Sequence, residues 1–369
     1  MTKNVNTKQT KTTIINPDEK QVKYWRDRAE KNFLSGEKQG LQVAKELQTN
    51  YKRCIKEIET KINLFYGKYA SKEGMTLEEA KQLLNRRELK EFKSYINEHI
   101  KLAKQQNLSD TEIKQLKILK AKAKISRLQE LQTNIKLELD NLTQQSQDKI
   151  EEFLKNTYED GYYKTMYDVD KFKGFSSSFS GLNDLAVEKA ISTKYLGANY
   201  SQRLWQNENN LMTTLNQEIP RGLTLGYNPR KLADLVSTKL GTNYNNTVRL
   251  IRTEYNHILN DATYQGYIEA GIDRYEILAT LDSRTSDICQ SMDGTIVPIK
   301  EKEVGVNYPP FHPNCRTTTV PYFEDNLEEG QFVFNDKINN KLPLNISYKQ
   351  WKEGLRKSKN DNIIYKGGE

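Results

Sequence analysis

Residues 280–322 read TLDSRTSDICQSMDGTIVPIKEKEVGVNYPPFHPNCRTTTVPY, and they hold two of the three cysteines and one of the three histidines of a 369-residue chain. The rest is rich in Lys, Asn, Gln and Glu, a composition that suits many purposes. This stretch is chemically particular, so it decides the reading. Thr295 to Ile299 and Thr317 to Tyr322 are β-branched runs that predict strands paired with each other, and Tyr275 to Leu281 predicts a strand just upstream. Between the runs lie Pro309-Pro310, His312-Pro313 and Asn314, which predict a rigid, turn-rich loop. Asp293-Gly294 is a tight-turn signal.

Three chemistries compete for the loop. His312-x-x-Cys315 places an imidazole and a thiol within one turn, and Cys289 supplies a second thiol upstream. Together they offer three corners of a tetrahedral zinc site, with Asp282, Asp293, His257 or water as the fourth. A Cys-His nucleophile pair would need His312 within reach of a thiol and a third group to orient the ring. The sequence shows no nucleophile elbow and no oxyanion-forming Gly loop. In the structural reading, adopted here, Cys289 and Cys315 are buried small apolar groups and His312 and Asn314 bond the loop backbone. Arg284 and Arg316 then pair with Asp282, Asp287 or Asp293. No cofactor is expected on this reading, and zinc stays as the alternative held by Cys289, His312 and Cys315.

Working outward, helices dominate. The hydrophobic fraction is 36%, charged residues make up 29% and the formal net charge is +8. That balance suits long exposed helices with a modest core better than one large globule. Residues 1–20 are polar and predict a disordered arm. Residues 21–170 predict a helical region, punctuated by the capping boxes Thr76-x-x-Glu79 and Ser109-x-x-Glu112 and by a break at Gly161. Ile113, Leu116, Leu128, Leu131, Ile135, Leu139 and Leu142 recur at helical spacing and predict one seam. Lys114, Lys117, Lys120, Lys122, Lys124 and Arg127 form a basic side that is either a solvated face or a contact for DNA phosphates or an acidic protein surface.

The run from Gly174 to Gly181 predicts a Gly/Ser linker, followed by a middle helical region over 171–245. Asn228-Pro229 opens a helix, and Arg252-Thr253-Glu254 predicts an intradomain salt-bridge pair. Residues 246–327 predict the α+β module, and 328–369 a polar tail with a Ser347-Tyr348-Lys349-Gln350-Trp351 docking segment. Trp205 and Trp351 are expected as packing anchors. The expected fold class is mainly α with a small α+β C-terminal module. No secretory h-region opens the chain, no run approaches a membrane span, and three widely spaced cysteines imply no disulfide framework. P-loop, dinucleotide-binding and HExxH motifs are absent.

The segment Ala279 to Thr285, Cys289, Asp293-Gly294 and Pro309 to Arg316 resembles the signature of the phage Mu F-like head morphogenesis proteins. Arg252-Thr253-Glu254, Tyr200 to Trp205 and Ser347 to Trp351 resemble longer members of that group. Some relatives carry a further Cys where this chain has Ser286 and Asp287. The resemblance implies a minor head protein, located in the virion and assembled in the bacterial host cytoplasm. Its implied partners are the portal protein, scaffold or major capsid protein and, nonspecifically, double-stranded DNA, with no membrane anchor. It implies no established enzyme activity. The rival expectation is a DNA-acting nuclease or a toxin-like effector delivered with the phage genome.

Overall fold

A computed structural model describes residues 19–72, 127–172, 181–323, 348–349 and 351. Residues 1–18 of the arm expected over 1–20, both capping boxes, Lys114 to Lys124 of the basic side and most of the Gly/Ser linker lie outside the described residues, while Glu19 and Lys20 already belong to a helix. Arg127 is the first residue of a helix, and its side chain is likewise outside them.

Three long helices make the frame: α1 (Glu19–Lys72), α2 (Arg127–Phe172) and, later in the chain, α5 (Pro229–Glu269). All three pack on one another. Between α2 and α5 come a short helix, α3 (Asp184–Ser192), and α4 (Tyr200–Thr224), which lies against α5 and α2. The helices bury apolar stripes, and α5 is buried all round from Thr253 to Asn260. Leu47, Tyr51, Cys54, Ile58, Ile62 and Phe65 line α1 at steps of three and four, and Leu128, Leu131, Ile135, Leu139 and Leu142 line α2. The predicted seam is therefore real from Leu128 onward. Helix starts are fixed by Asn side chains accepting backbone N–H bonds: Asn183 from Ala186, Asn199 from Gln202 and Asn228 from Lys231, with Pro229 at the first turn as the sequence predicts.

Gly161 does not break α2. It sits inside that helix against α5, and an added Cβ would stand 3.0 Å from Ala262 Cβ and 3.1 Å from Leu259 Cδ1. The glycine permits a close helix crossing. The expected boundary between residues 245 and 246 falls inside the continuous α5.

After α5 the chain enters β1 (Arg274–Leu278), a single-turn α6 (Asp287–Met292), β2 (Ile296–Pro298) and β3 (Thr318–Tyr322). The sheet order is β2-β1-β3, antiparallel throughout, with Tyr275 opposite both Val297 and Pro321. The two β-branched runs thus pair with β1 and not with each other. Tyr275 and Ile277 are fully buried, so β1 takes the centre, where both neighbours shield it.

One apolar core runs from the bundle into the sheet, joining Trp25, Phe33, Phe153, Tyr255 and Ile258 to Tyr275, Ile277, Val297 and Val320. A second core lies farther along α1, α2, α4 and α5. The module is also fastened to α5 by polar side chains. Asn256 Nδ2 donates to the Thr317 carbonyl (2.9 Å), Thr318 Oγ1 to Asn260 Oδ1 (3.1 Å) and Tyr308 OH to the Asn260 carbonyl (2.6 Å). Satisfied in this way, buried asparagines fix one docking geometry. Tyr348 and Trp351 dock within the chain itself, against Tyr163 and Tyr167 of α2.

Candidate functional site

Cys289 enters the site from α6, whose first turn is capped by Ser286. His312 and Cys315 enter from the turn before β3, closed by Cys315 N–H donating to the His312 carbonyl (3.1 Å). Asn314 makes that turn possible. Its φ of 60° is in the left-handed region, which Asn tolerates better than most residues, and its N–H donates to Thr253 Oγ1 on α5 (3.1 Å). This bond runs from the Asn314 backbone to a side chain of α5, where the sequence suggested a bond to the loop backbone, and it carries the turn onto the helix.

The three side chains meet. Cys289 Sγ stands 3.2 Å from His312 Nε2 and 3.7 Å from Cys315 Sγ. His312 Nδ1 lies 2.8 Å from the Pro313 carbonyl oxygen. A carbonyl only accepts, so Nδ1 carries the proton and Nε2 presents its lone pair to the sulfurs. Ser286 Oγ is also 2.8 Å from Nε2. Both thiols are buried beneath Ala279 and Phe311. The Cys289 thiol is pulled down toward thiolate, chiefly by the hydrogen bond from Cys315, against its burial. Cys315, the donor to Cys289, is pushed up, and burial adds to it. The pair thus favours one thiolate and one thiol. Soft sulfur and imidazole donors converging on one point suit a borderline-soft cation.

Asp282 and Asp293 lie outside this convergence. Among the described residues, the ligand atoms that come within 4.8 Å of one another belong to Cys289, His312 and Cys315. Asp282 instead takes Arg316 in a two-pronged contact, Nη1 to Oδ2 at 2.7 Å and Nη2 to Oδ1 at 2.6 Å, and Arg284 Nη2 approaches at 3.2 Å. Both arginines choose this one acid. The hydrogen bonds from Arg316 hold its carboxyl well below the usual carboxylate range. Asp293 Oδ1 accepts the Ala279 N–H (2.8 Å), and its other oxygen faces Arg26 of α1 at 3.9 Å.

Two buried charge centres escaped sequence reasoning. Glu254, 2% exposed, pairs with Arg203 on α4, not with the adjacent Arg252, which is exposed. Arg203 also donates to the Tyr195 carbonyl. Burial raises the Glu254 carboxyl to about 7 against the pull of Arg203. His257, one turn on, stacks on the Tyr195 ring at 4.9 Å, and its Nδ1 is 4.0 Å from Glu254. Burial lowers this imidazole to about 4. Farther along the bundle, Lys136 bridges Asp140 and Glu208, with Nζ 2.7 Å from Glu208 Oε1. The signal was available. Glu208 sits between Leu204 and Leu211 on the buried stripe of α4, and Glu254 between Ile251 and Ile258 on that of α5. An acid at an apolar-stripe position requires a buried cation.

The family model for Phage Mu protein F like protein matches residues 213–320. Residues 213–320 are Mu F-like. The Mu F-like segment starts inside α4, contains all of α5 and ends in β3, so it holds the whole Cys/His cluster and Glu254. The chain is also similar to an NAD(+)--arginine ADP-ribosyltransferase, EFV, of Enterococcus faecalis, at 24% identity over 232 residues. That similarity spans 58% of this chain and 47% of the relative, about half its length. No solved structure matches the chain.

Proposed function

We propose that this protein is a minor head protein of a tailed bacteriophage. It joins the head during assembly through the portal, scaffold or major capsid protein, and touches packaged DNA through phosphate contacts without sequence preference. The observation that carries the reading is the Mu F-like match over the segment that holds the Cys/His cluster. The net charge of +8 supports residence beside a polyanion. Among the described residues no helix is long and apolar enough to cross a membrane. The cluster serves integrity in this reading rather than catalysis. Cys289 is 3% exposed, which leaves little of its sulfur open to an incoming electrophile. Mass spectrometry of purified virions and of emptied ghosts tests the reading. Peptides of this chain in virions are expected, and their loss from ghosts would add ejection with the DNA. Their absence from virions would overturn the proposal.

The similarity to an enzyme named for ADP-ribosyl transfer favours a second reading, an effector delivered with the genome. Incubating the full chain with labelled NAD and an arginine-bearing acceptor separates the two. Transfer of label to the acceptor would support the effector.

A further inference from the structure

We propose that Cys289, His312 and Cys315 bind a zinc ion through Sγ, Nε2 and Sγ, with a solvent molecule beside Ser286 completing the tetrahedron. The edge lengths carry the argument. With Zn–S about 2.3 Å and Zn–N about 2.0–2.1 Å, tetrahedral geometry sets two sulfurs about 3.8 Å apart and a sulfur and nitrogen about 3.6 Å apart. The corresponding distances are 3.7 Å and 3.2 Å. The sulfur–sulfur edge already fits, the Cys289–His312 edge must lengthen by a few tenths of an ångström, and the third edge, Cys315 to His312, lies within 4.8 Å.

The imidazole is set for the task. Its Nδ1–H is held by the Pro313 carbonyl, the outer bond that orients metal-bound histidines. Its single free lone pair on Nε2 is approached from two sides, by Cys289 Sγ and by Ser286 Oγ. One lone pair can accept one good hydrogen bond. An ion between the sulfurs and the ring satisfies every group at once. Ser286 Oγ stands 2.8 Å from Nε2, beside the three donors, but a neutral serine is a weak ligand. It is better placed to hold a bound solvent molecule by hydrogen bond. The ion would tie α6 to the turn before β3 and would close the long loop between Cys289 and Cys315 without oxidation of either thiol.

The test uses the full chain, produced in zinc-supplemented medium and measured by elemental mass spectrometry. One zinc per chain is expected. Exchange with cobalt should give the thiolate-to-cobalt charge-transfer band and the visible bands of a tetrahedral ion. Cys289→Ser and Cys315→Ser should each reduce the metal to background, while Cys54→Ser, on α1 and away from the cluster, should retain it. Because a ligand variant can fail to fold, Ser286→Cys supplies a gain of function. A thiolate at the fourth corner should hold zinc against a chelator longer than the parent chain does. Zinc at background in the parent chain, no tetrahedral cobalt spectrum, full zinc content in Cys289→Ser or Cys315→Ser, or unchanged retention in Ser286→Cys would overturn the assignment. None of these results bears on whether the chain is found in virions, so the two proposals fail separately.

Discussion

Asp282 and Glu254 each face an arginine, and the two pairs behave in opposite ways. Asp282 sits at the rim of the Cys/His loop, takes both prongs of Arg316 and is held strongly ionised. Glu254 lies inside the bundle at 2% exposure, faces Arg203 and is pushed up to about 7 by burial. The same pair of residue types stabilises charge at the surface and strains to keep it in the interior, because desolvation there competes with the Coulomb attraction. The lesson is that the loop can lose its clamp cheaply, whereas the bundle cannot lose half of its buried pair.

Arg203→Met should give the largest effect. It takes away the cation that faces Glu254, and the full penalty of about 3–5 kcal/mol applies where the paired carboxyl is ionised, at a pH well above its folded value of about 7. Chemical denaturation at alkaline pH measures this, and the loss should shrink toward neutral and acid pH, where Glu254 takes up a proton instead. An unchanged midpoint at alkaline pH would mean that Glu254 is not held as a buried charge.

The pH dependence of stability sharpens the same point. Glu254 has an ordinary value of 4.5 and a folded value of about 7, so the fold binds the extra proton between them. Stability from this group falls as pH rises across that window. His257 runs the other way, from an ordinary 6.5 to about 4 in the fold. Its contribution is fully present above 6.5 and is lost as pH falls toward 4. Between 4.5 and 6.5 the two slopes cancel. Glu254→Gln should expose a rising stability over that range, and His257→Asn a falling one, each up to about 1.4 kcal/mol per pH unit. Denaturation midpoints taken across the range decide it, and identical flat profiles in both variants would break the comparison.

Arg316→Gln should matter least. It removes the exposed clamp on Asp282, so the unfolding midpoint should move only slightly, and added salt should erase the difference. A large, salt-insensitive loss would mean that the clamp does more than hold the loop rim.

What could be read in the sequence follows the range of the interactions. Asn228-Pro229, the leucines of α2 from Leu128 and the His312-to-Cys315 turn declare themselves within a few residues, and each is found where expected. The strand order was hidden because Thr295 to Ile299 and Thr317 to Tyr322 look alike locally, and only the burial of Tyr275 and Ile277 places β1 between them. Gly161 reads as a breaker along the chain. Its purpose is visible only with Leu259 and Ala262 opposite. The convergence of Cys289 on His312 likewise depends on α6 folding back over the turn before β3. Arg203 and Glu254 are 51 residues apart, and no local pattern links them. His312-x-x-Cys315 announced donors, while the position of Ser286 beside them needed the fold.

Trp25, near the start of α1, stacks on Phe323 just past β3, with Phe172 against both rings. At a synthesis rate of about 5–20 residues per second, the roughly 300 residues between Trp25 and Phe323 take on the order of 15–60 s to emerge. Throughout that interval the apolar stripe of α1 is outside the ribosome without its final cover. Co-translational folding of this chain therefore has a built-in waiting period. A chaperone that engages the nascent chain would find its longest-lived target in the first helix made.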